Sequence, residues 1–283
     1  MRCLSVLLLL VGALGGLGGC ATAGGNPDDP LEGYNRAMFG FNDSVDKAVI
    51  KPVAIGYKKV VPAFARTGVS NFFSNLGDVW IGINNVLQGK LGEGASDFGR
   101  FAINTTVGVL GLFDVASDAG LEKHNEDFGQ TLGRWGVGSG AYVVLPFLGS
   151  SSVRDGFGLL AVDWQGDPLW YVGNVPTRNE LYALRLVEGR ANLLEASDFA
   201  ESAALDKYSY VRGAFLQRRR SLVYDGNPPR EPDQSKGPGR GGGADAAAAA
   251  PPREYHPMIP PDYAAVLAAS GARTGFERTR LEP

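Results

Sequence analysis

The sequence predicts an all-α domain followed by a disordered C-terminal tail, and three observations carry that prediction. Apolar residues recur at three- and four-residue steps through most of 29–223. Only 140–148 has local strand character, where Tyr142, Val143 and Val144 precede Pro146, so a short hairpin is the one departure expected. Near Asp225 the composition changes abruptly. From there to residue 283 prolines, glycines and alanines dominate, and apolar side chains are too few to offset the entropy of ordering the chain. With 283 residues and 44% apolar content the chain can still bury one sizeable core.

The first element is a targeting segment. Arg2 precedes LSVLLLLVGALGGL, too short and glycine-rich for a spanning helix but sized for a secretory signal over 1–19. It closes on Leu17-Gly18-Gly19-Cys20, which resembles the lipobox of bacterial lipoproteins and implies that Cys20 is lipidated. Cys3 leaves with the signal, and acylation gives the one remaining thiol a fate in an oxidising compartment. Residues 20–28 then read as a spacer. Ala21, where inner-membrane lipoproteins often carry Asp, implies sorting to the outer membrane by the same resemblance.

The domain at 29–224 opens on Asp29 as N-cap, Pro30 at the first helical position and Glu32 two further on. Leu31, Tyr34, Met38, Phe41, Val45 and Val49 form one apolar stripe, and Pro52 is expected to end the helix. Phe39 lies off that stripe. Its ring can face lipid while Phe41 packs inward, or both can share a wide core face. Further helical patterns fall at 62–76, 77–89, 96–107, 125–136, 151–163, 177–196 and 206–223. Between them, 108–129 joins apolar Leu110, Leu112 and Phe113 to a polar run from Glu122 to Asp127. Gly108, Gly111 and Gly120 make it a candidate movable lip, with a static connector as the alternative.

Several chemistries are poorly supported. Against 30 acidic residues, 27 basic ones leave no positive excess for nucleic acid. Gly136, Gly138 and Ala141 fit a dinucleotide fingerprint, but helix precedes them where a strand is required. No serine sits centrally in a nucleophile elbow. His124 is the domain's one histidine, so a triad would need a serine and a carboxylate to converge on it, and metal binding lacks partner ligands. No catalytic, metal or cofactor residue is therefore assigned. Arg218, Arg219 and Arg220 complement a helix C-terminus or contact phosphate. Ser152 and Asp155 resemble a capping box, which leaves Arg154 to face solvent, a carboxylate or a headgroup.

Six stretches together resemble the MlaA/VacJ family of outer-membrane phospholipid-transport lipoproteins. They are DPLEGYNRAMFGFN, KPVAIGYKKVVPAFARTGVSNFFSNL, LQGK, FGRFAINTTVGVLGLFDVA, FGQTLGRWGVGSGAYVVLPFLGSSSVRDG and YVRGAFLQRR, in that order over most of 29–222. The resemblance implies a compact helical ring with amphipathic helices embedded in the inner leaflet of the outer membrane, around a polar channel. It implies phospholipids as cargo, a trimeric porin and the soluble carrier MlaC as partners, and transport without bond chemistry. Phe39, Phe41, Asn42, Leu110, Leu112, Phe113 and Arg154 are then the candidates for membrane-facing or channel positions. A porin-associated structural lipoprotein and a periplasmic lipid hydrolase are the alternatives.

Overall fold

The structure is a computed structural model and describes residues 29–229. Cys20, the signal segment, the spacer and the tail beyond 229 lie outside the described residues.

Helix α1 (Glu32–Val45) begins later than a cap at Asp29 predicts. Leu31 holds the cap position, and Asp29 turns inward, where its carboxylate accepts from Asn35 Nδ2 at 2.7 Å, from Arg212 Nη1 at 2.8 Å and from the Tyr208 hydroxyl. Charge-assisted bonds outweigh a single capping bond, which explains the choice. Pro52 does not end the helix either. A wide turn, Asp46–Ile50, adds one residue to the backbone ladder, and Pro52 then falls in the first turn of α2 (Lys51–Val60), where its missing N–H costs nothing.

The two patterns at 62–76 and 77–89 form one helix, α3 (Ala63–Leu87), because Gly77 is a weak former and not a breaker inside a long ladder. The chain turns at 88–90 and returns antiparallel as α4 (Leu91–Thr106), five residues earlier than expected. Asn75 lies opposite Thr105, Asp78 opposite Arg100 and Asn85 opposite Asp97. The single turn α5 (Val115–Asp118) and then α6 (Phe128–Arg134) follow, capped by Asp114 and Asp127.

The expected hairpin is present. Strands β1 (Tyr142–Leu145) and β2 (Gly149–Ser152) pair antiparallel, with Tyr142 opposite Ser152 and Leu145 opposite Gly149. Of the glycines before it, Gly136 and Gly140 have positive φ, and a side chain at Gly133 would meet Arg154 and Val223; Gly138 shows neither need. Ser152 caps α7 (Val153–Gly158) by accepting from Asp155 N, as the sequence predicts. A second wide turn, Leu159–Asp163, leads to α8 (Trp164–Gly166) and a tight turn at Pro168–Tyr171. The pattern at 177–196 splits at Leu193 into α9 (Val175–Asn192) and α10 (Leu194–Ala203); α11 (Lys207–Val223) is last.

Apolar cores are small. Tyr142, Val144 and Tyr208 form one, joined by Met38, Phe39, Phe215 and Leu216; Ala54, Ala191 and Leu194 form another with Tyr57. Phe39 meets Tyr208 edge-on at 5.7 Å, while Phe41 is exposed beside exposed Phe147. This inverts the reading in which Phe39 faces out. Phe39 lies four residues after Asn35, whose side chain binds β1 through Tyr142 O and Val144 N, so the same helix face meets the hairpin. The first helices are also sewn to the last: Arg36 to Asp206 at 2.8 Å, Lys207 to Asp43 at 2.5 Å, Lys51 to Asp198 at 2.8 Å and Arg190 to Asp46 at 2.7 Å.

Candidate functional site: a polar interior behind an apolar exterior

Helix α4 buries Asp97, Arg100 and Asn104, which share one face by their three- and four-residue steps, and exposes Leu91 and Phe98. Helix α3 meets it with buried Asn75, Asp78, Asn84 and Asn85. The pattern is general. Among the described residues sixteen polar or charged side chains are buried against thirteen apolar ones, while thirty large apolar side chains are exposed. Water-soluble folds bury charged groups rarely and do not expose apolar surface on this scale, so the arrangement calls for an apolar environment outside.

Arg100 is the hub of the interior, 1% exposed. Its Nη2 donates to both Asp114 oxygens at 2.9 and 3.1 Å, and its Nη1 to Ser117 Oγ at 3.1 Å and to Leu121 O. Burial acts to raise the Asp114 pKa, but hydrogen bonds from Ser117 and Asn104 and the Arg100 charge hold it down at about 2. Lys123 donates to Asp78 and to Ser74 O. Burial pushes the Asp78 carboxyl up and the Lys123 ammonium down, each opposed by its contact with the other. His124 Nδ1 donates to Asp97 Oδ1 at 2.8 Å, which pulls the imidazole above its usual range; Asn85 Nδ2 holds the other Asp97 oxygen at 2.7 Å. Among the described residues Asn75 Oδ1, Asp78 Oδ2, Asn85 Oδ1 and Arg100 Nε are buried without a hydrogen-bonding partner.

A second charged cluster ties α6, α7 and α11. Arg219 reaches Asp155 through Nε and Nη2 at 3.0 and 2.8 Å, and Asp127 through Nη2 and Nη1 at 3.0 and 2.5 Å. Arg154 joins it, donating from Nε to Asp155 at 2.9 Å. Of the destinations open to Arg154 in the sequence, the structure selects the carboxylate, and Arg219 likewise serves carboxylates. Asn42 holds the hairpin turn: its Nδ2 donates to Leu145 O at 2.9 Å and its Oδ1 accepts from Phe147 N at 2.7 Å.

Leu110, Leu112 and Phe113 project outward with Val107 and Val109. Val109 and Leu110 have φ of 52° and 58°, a strained region for such residues, and Gly111 beside them has φ 86°. A Cβ on Gly111 would lie 2.6 Å from Asn75 Nδ2, so this knuckle rests directly on the polar interior. Asn71 Nδ2 donates to Leu112 O at 3.1 Å, and Arg100 and Lys123 hold the residues that follow. The glycines thus serve close packing and backbone conformation, and these bonds tie the segment to α3 and α4.

The sequence candidates therefore divide. Phe41, Leu110, Leu112 and Phe113 lie on the exterior, whereas Phe39 packs against Tyr208, Asn42 holds the hairpin turn and Arg154 pairs with Asp155. Asn75, Asp78, Asp97, Arg100 and Lys123 escaped sequence reasoning. Polar steps at 97, 100 and 104 were visible, but periodicity separates two helix faces without saying which is inside.

Apolar without and polar within, and with no helix among the described residues long and apolar enough to cross a membrane, the molecule has the build of a helical protein whose outer surface meets lipid. The chain belongs to the MlaA lipoprotein family, whose model matches residues 27–222. The intermembrane phospholipid transport system lipoprotein MlaA of Escherichia coli is 38% identical over 215 residues, 74% of this chain and 84% of that protein. Its namesake in Haemophilus influenzae is 32% identical over 80% of this chain and 93% of its own length. A solved chain from work on the structural basis for maintenance of bacterial outer membrane lipid asymmetry is 39% identical and superposes with a TM-score of 0.61, covering 69% of this chain and 98% of that one.

Proposed function

We propose that this protein is an outer-membrane lipoprotein, anchored through Cys20 and seated in the inner leaflet, that removes mislocalised phospholipids from the outer leaflet. Cargo headgroups pass along the polar interior while acyl chains stay in lipid, and the periplasmic carrier MlaC receives them; a trimeric porin holds the protein in place. One observation carries the reading: charged and amide side chains are inside and large apolar ones outside. A headgroup charge left unpaired in hydrocarbon costs several kcal/mol or more, and a wall of Asn, Asp and Arg side chains lowers that cost. The family supports the cargo, since its named relatives are phospholipid-transport lipoproteins.

Surface phospholipid in a deletion strain, with and without the restored gene, tests this. Accumulation on deletion and its reversal are expected. Unchanged surface lipid, with porin association intact, would instead favour a structural lipoprotein. Lipid transport retained in His124→Ala, with fold and fractionation intact, would count against a hydrolase.

A further inference from the structure

The chain from Asp163 to Arg178 builds a rigid aromatic corner outside the polar interior. Trp80 Nε1 donates to Asp163 Oδ1 at 2.7 Å, and a Cβ on Gly166 would fall 2.3–2.5 Å from the Trp80 indole, so the corner lies flat on α3. Asp167 caps the next turn through Leu169 N at 3.1 Å and pairs with Arg185 at 2.6 Å; Leu169 is buried beneath it. Upon this base Trp164 stacks on Tyr182 at 5.9 Å and meets Trp170 edge-on at 6.1 Å. Trp164 and Trp170 are 41% and 43% exposed, and Tyr171 is 73% exposed.

Arg178 completes the corner. Its guanidinium lies 5.8 Å from the Trp170 ring centroid and has no carboxylate partner among the described residues. The nearby Asp167 is committed to Arg185. Neither Trp164 nor Trp170 makes a hydrogen bond through its indole N–H within the described protein, so two ring donors accompany an unpaired cation. Before them in the chain come exposed Phe157 and Leu160.

We propose that this corner is an interfacial anchor, with Trp164, Trp170 and Tyr171 at the glycerol level of a phospholipid leaflet and Arg178 on lipid phosphate. The chemistry favours this occupant. Trp and Tyr combine an apolar ring with a donor and collect at the membrane–water boundary, and an Arg stacked on one of them complements the phosphate layer just outside it. This rests on the membrane-seated reading above.

The test uses the full chain in vesicles of phosphatidylethanolamine and phosphatidylglycerol. An environment-sensitive dye is placed on Tyr171→Cys or, separately, on Phe113→Cys, with the unsubstituted chain as labelling blank. Lipids brominated near the glycerol or near the methyl end of their acyl chains report depth. At 171 the shallow quencher should act about twice as strongly as the deep one. Arg178→Gln should roughly halve that shallow quenching while leaving the probe at 113 unchanged. Quenching at 113 with none at 171 overturns the anchor and leaves the membrane-seated reading standing. Shielding of 171 that requires added porin overturns it in favour of a protein contact, and absence of quenching at both positions overturns both readings. Quenching at 171 indifferent to Arg178→Gln removes Arg178 from the anchor.

Discussion

Two regions bury their side chains by opposite rules. Around the hairpin, Tyr142, Val144 and Tyr208 pack with Phe39 and Phe215 as in a water-soluble core. Between α3 and α4 the buried faces carry Asp78, Asp97, Arg100 and Asn104, held by ion pairs and amides. The apolar core lies where α1, the hairpin and α11 must be fastened together. The polar one lies between α3 and α4, where amides and charges line the seam beside buried Phe73 and Ile81 and the glycines Gly82 and Gly94 admit Phe98 and Val86.

The strongest challenge to that comparison is Arg219→Gln. It removes the cation shared by buried Asp155 and by Asp127, and breaking one partner out of such a cluster costs about 3–5 kcal/mol. Chemical denaturation should show that loss, and a change under 1 kcal/mol would mean that the charges are not the fastening. Val144→Ala comes next. Its side chain is fully buried in the apolar core, and about 2 kcal/mol should go with the lost methyl groups and the cavity. Equal tolerance of this change and of polar-interior changes would erase the distinction between the regions.

A smaller effect is expected of pH. Burial raises the Asp163 carboxyl from 3.8 to about 6 against hydrogen bonds from Trp80 and Phe128 N. Its folded-state pKa lies above the unfolded one, so its contribution is fullest below 3.8 and is lost as pH rises through about 6. Asp163→Asn keeps an acceptor for both donors and should flatten the urea midpoint over that window; an unaltered slope would place the titration elsewhere. The smallest stability change should come from replacing Asp78 and Lys123 together, as Asp78→Leu with Lys123→Met. Exchanging a buried pair for apolar side chains is often neutral, so stability should move by about 1 kcal/mol or less. Lipid transport should nevertheless fall sharply. A double variant that transports normally would show that the interior's polarity is not used.

Most helices were legible because their apolar steps were regular, and the hairpin because Tyr142, Val143 and Val144 stand before a proline. Boundaries failed where backbone hydrogen bonding changed register. Pro52 reads as a terminator only if the ladder has no extra residue before it, and the turn at Asp46–Ile50 supplies one. The sense of each face was illegible. In water an apolar stripe points inward, and that assumption put Phe41 in the core, where the structure leaves it exposed; for Arg154 the sequence left three destinations open, and only the structure selects the carboxylate. Arg100 was invisible because its partners, Asp114, Ser117 and Leu121, come from a stretch with neither helical nor strand period.

Asp29 stands at the start of the described chain, yet its partners Tyr208 and Arg212 lie 179 and 183 residues away. During synthesis those partners are among the last to emerge, so the carboxylate waits for nearly the whole domain to be made. Contacts so distant in sequence close slowly, and until they do an apolar exterior is presented to water without its ring of fastenings. A chain cut short before α11 would therefore yield an open strip of helices in place of a smaller closed body.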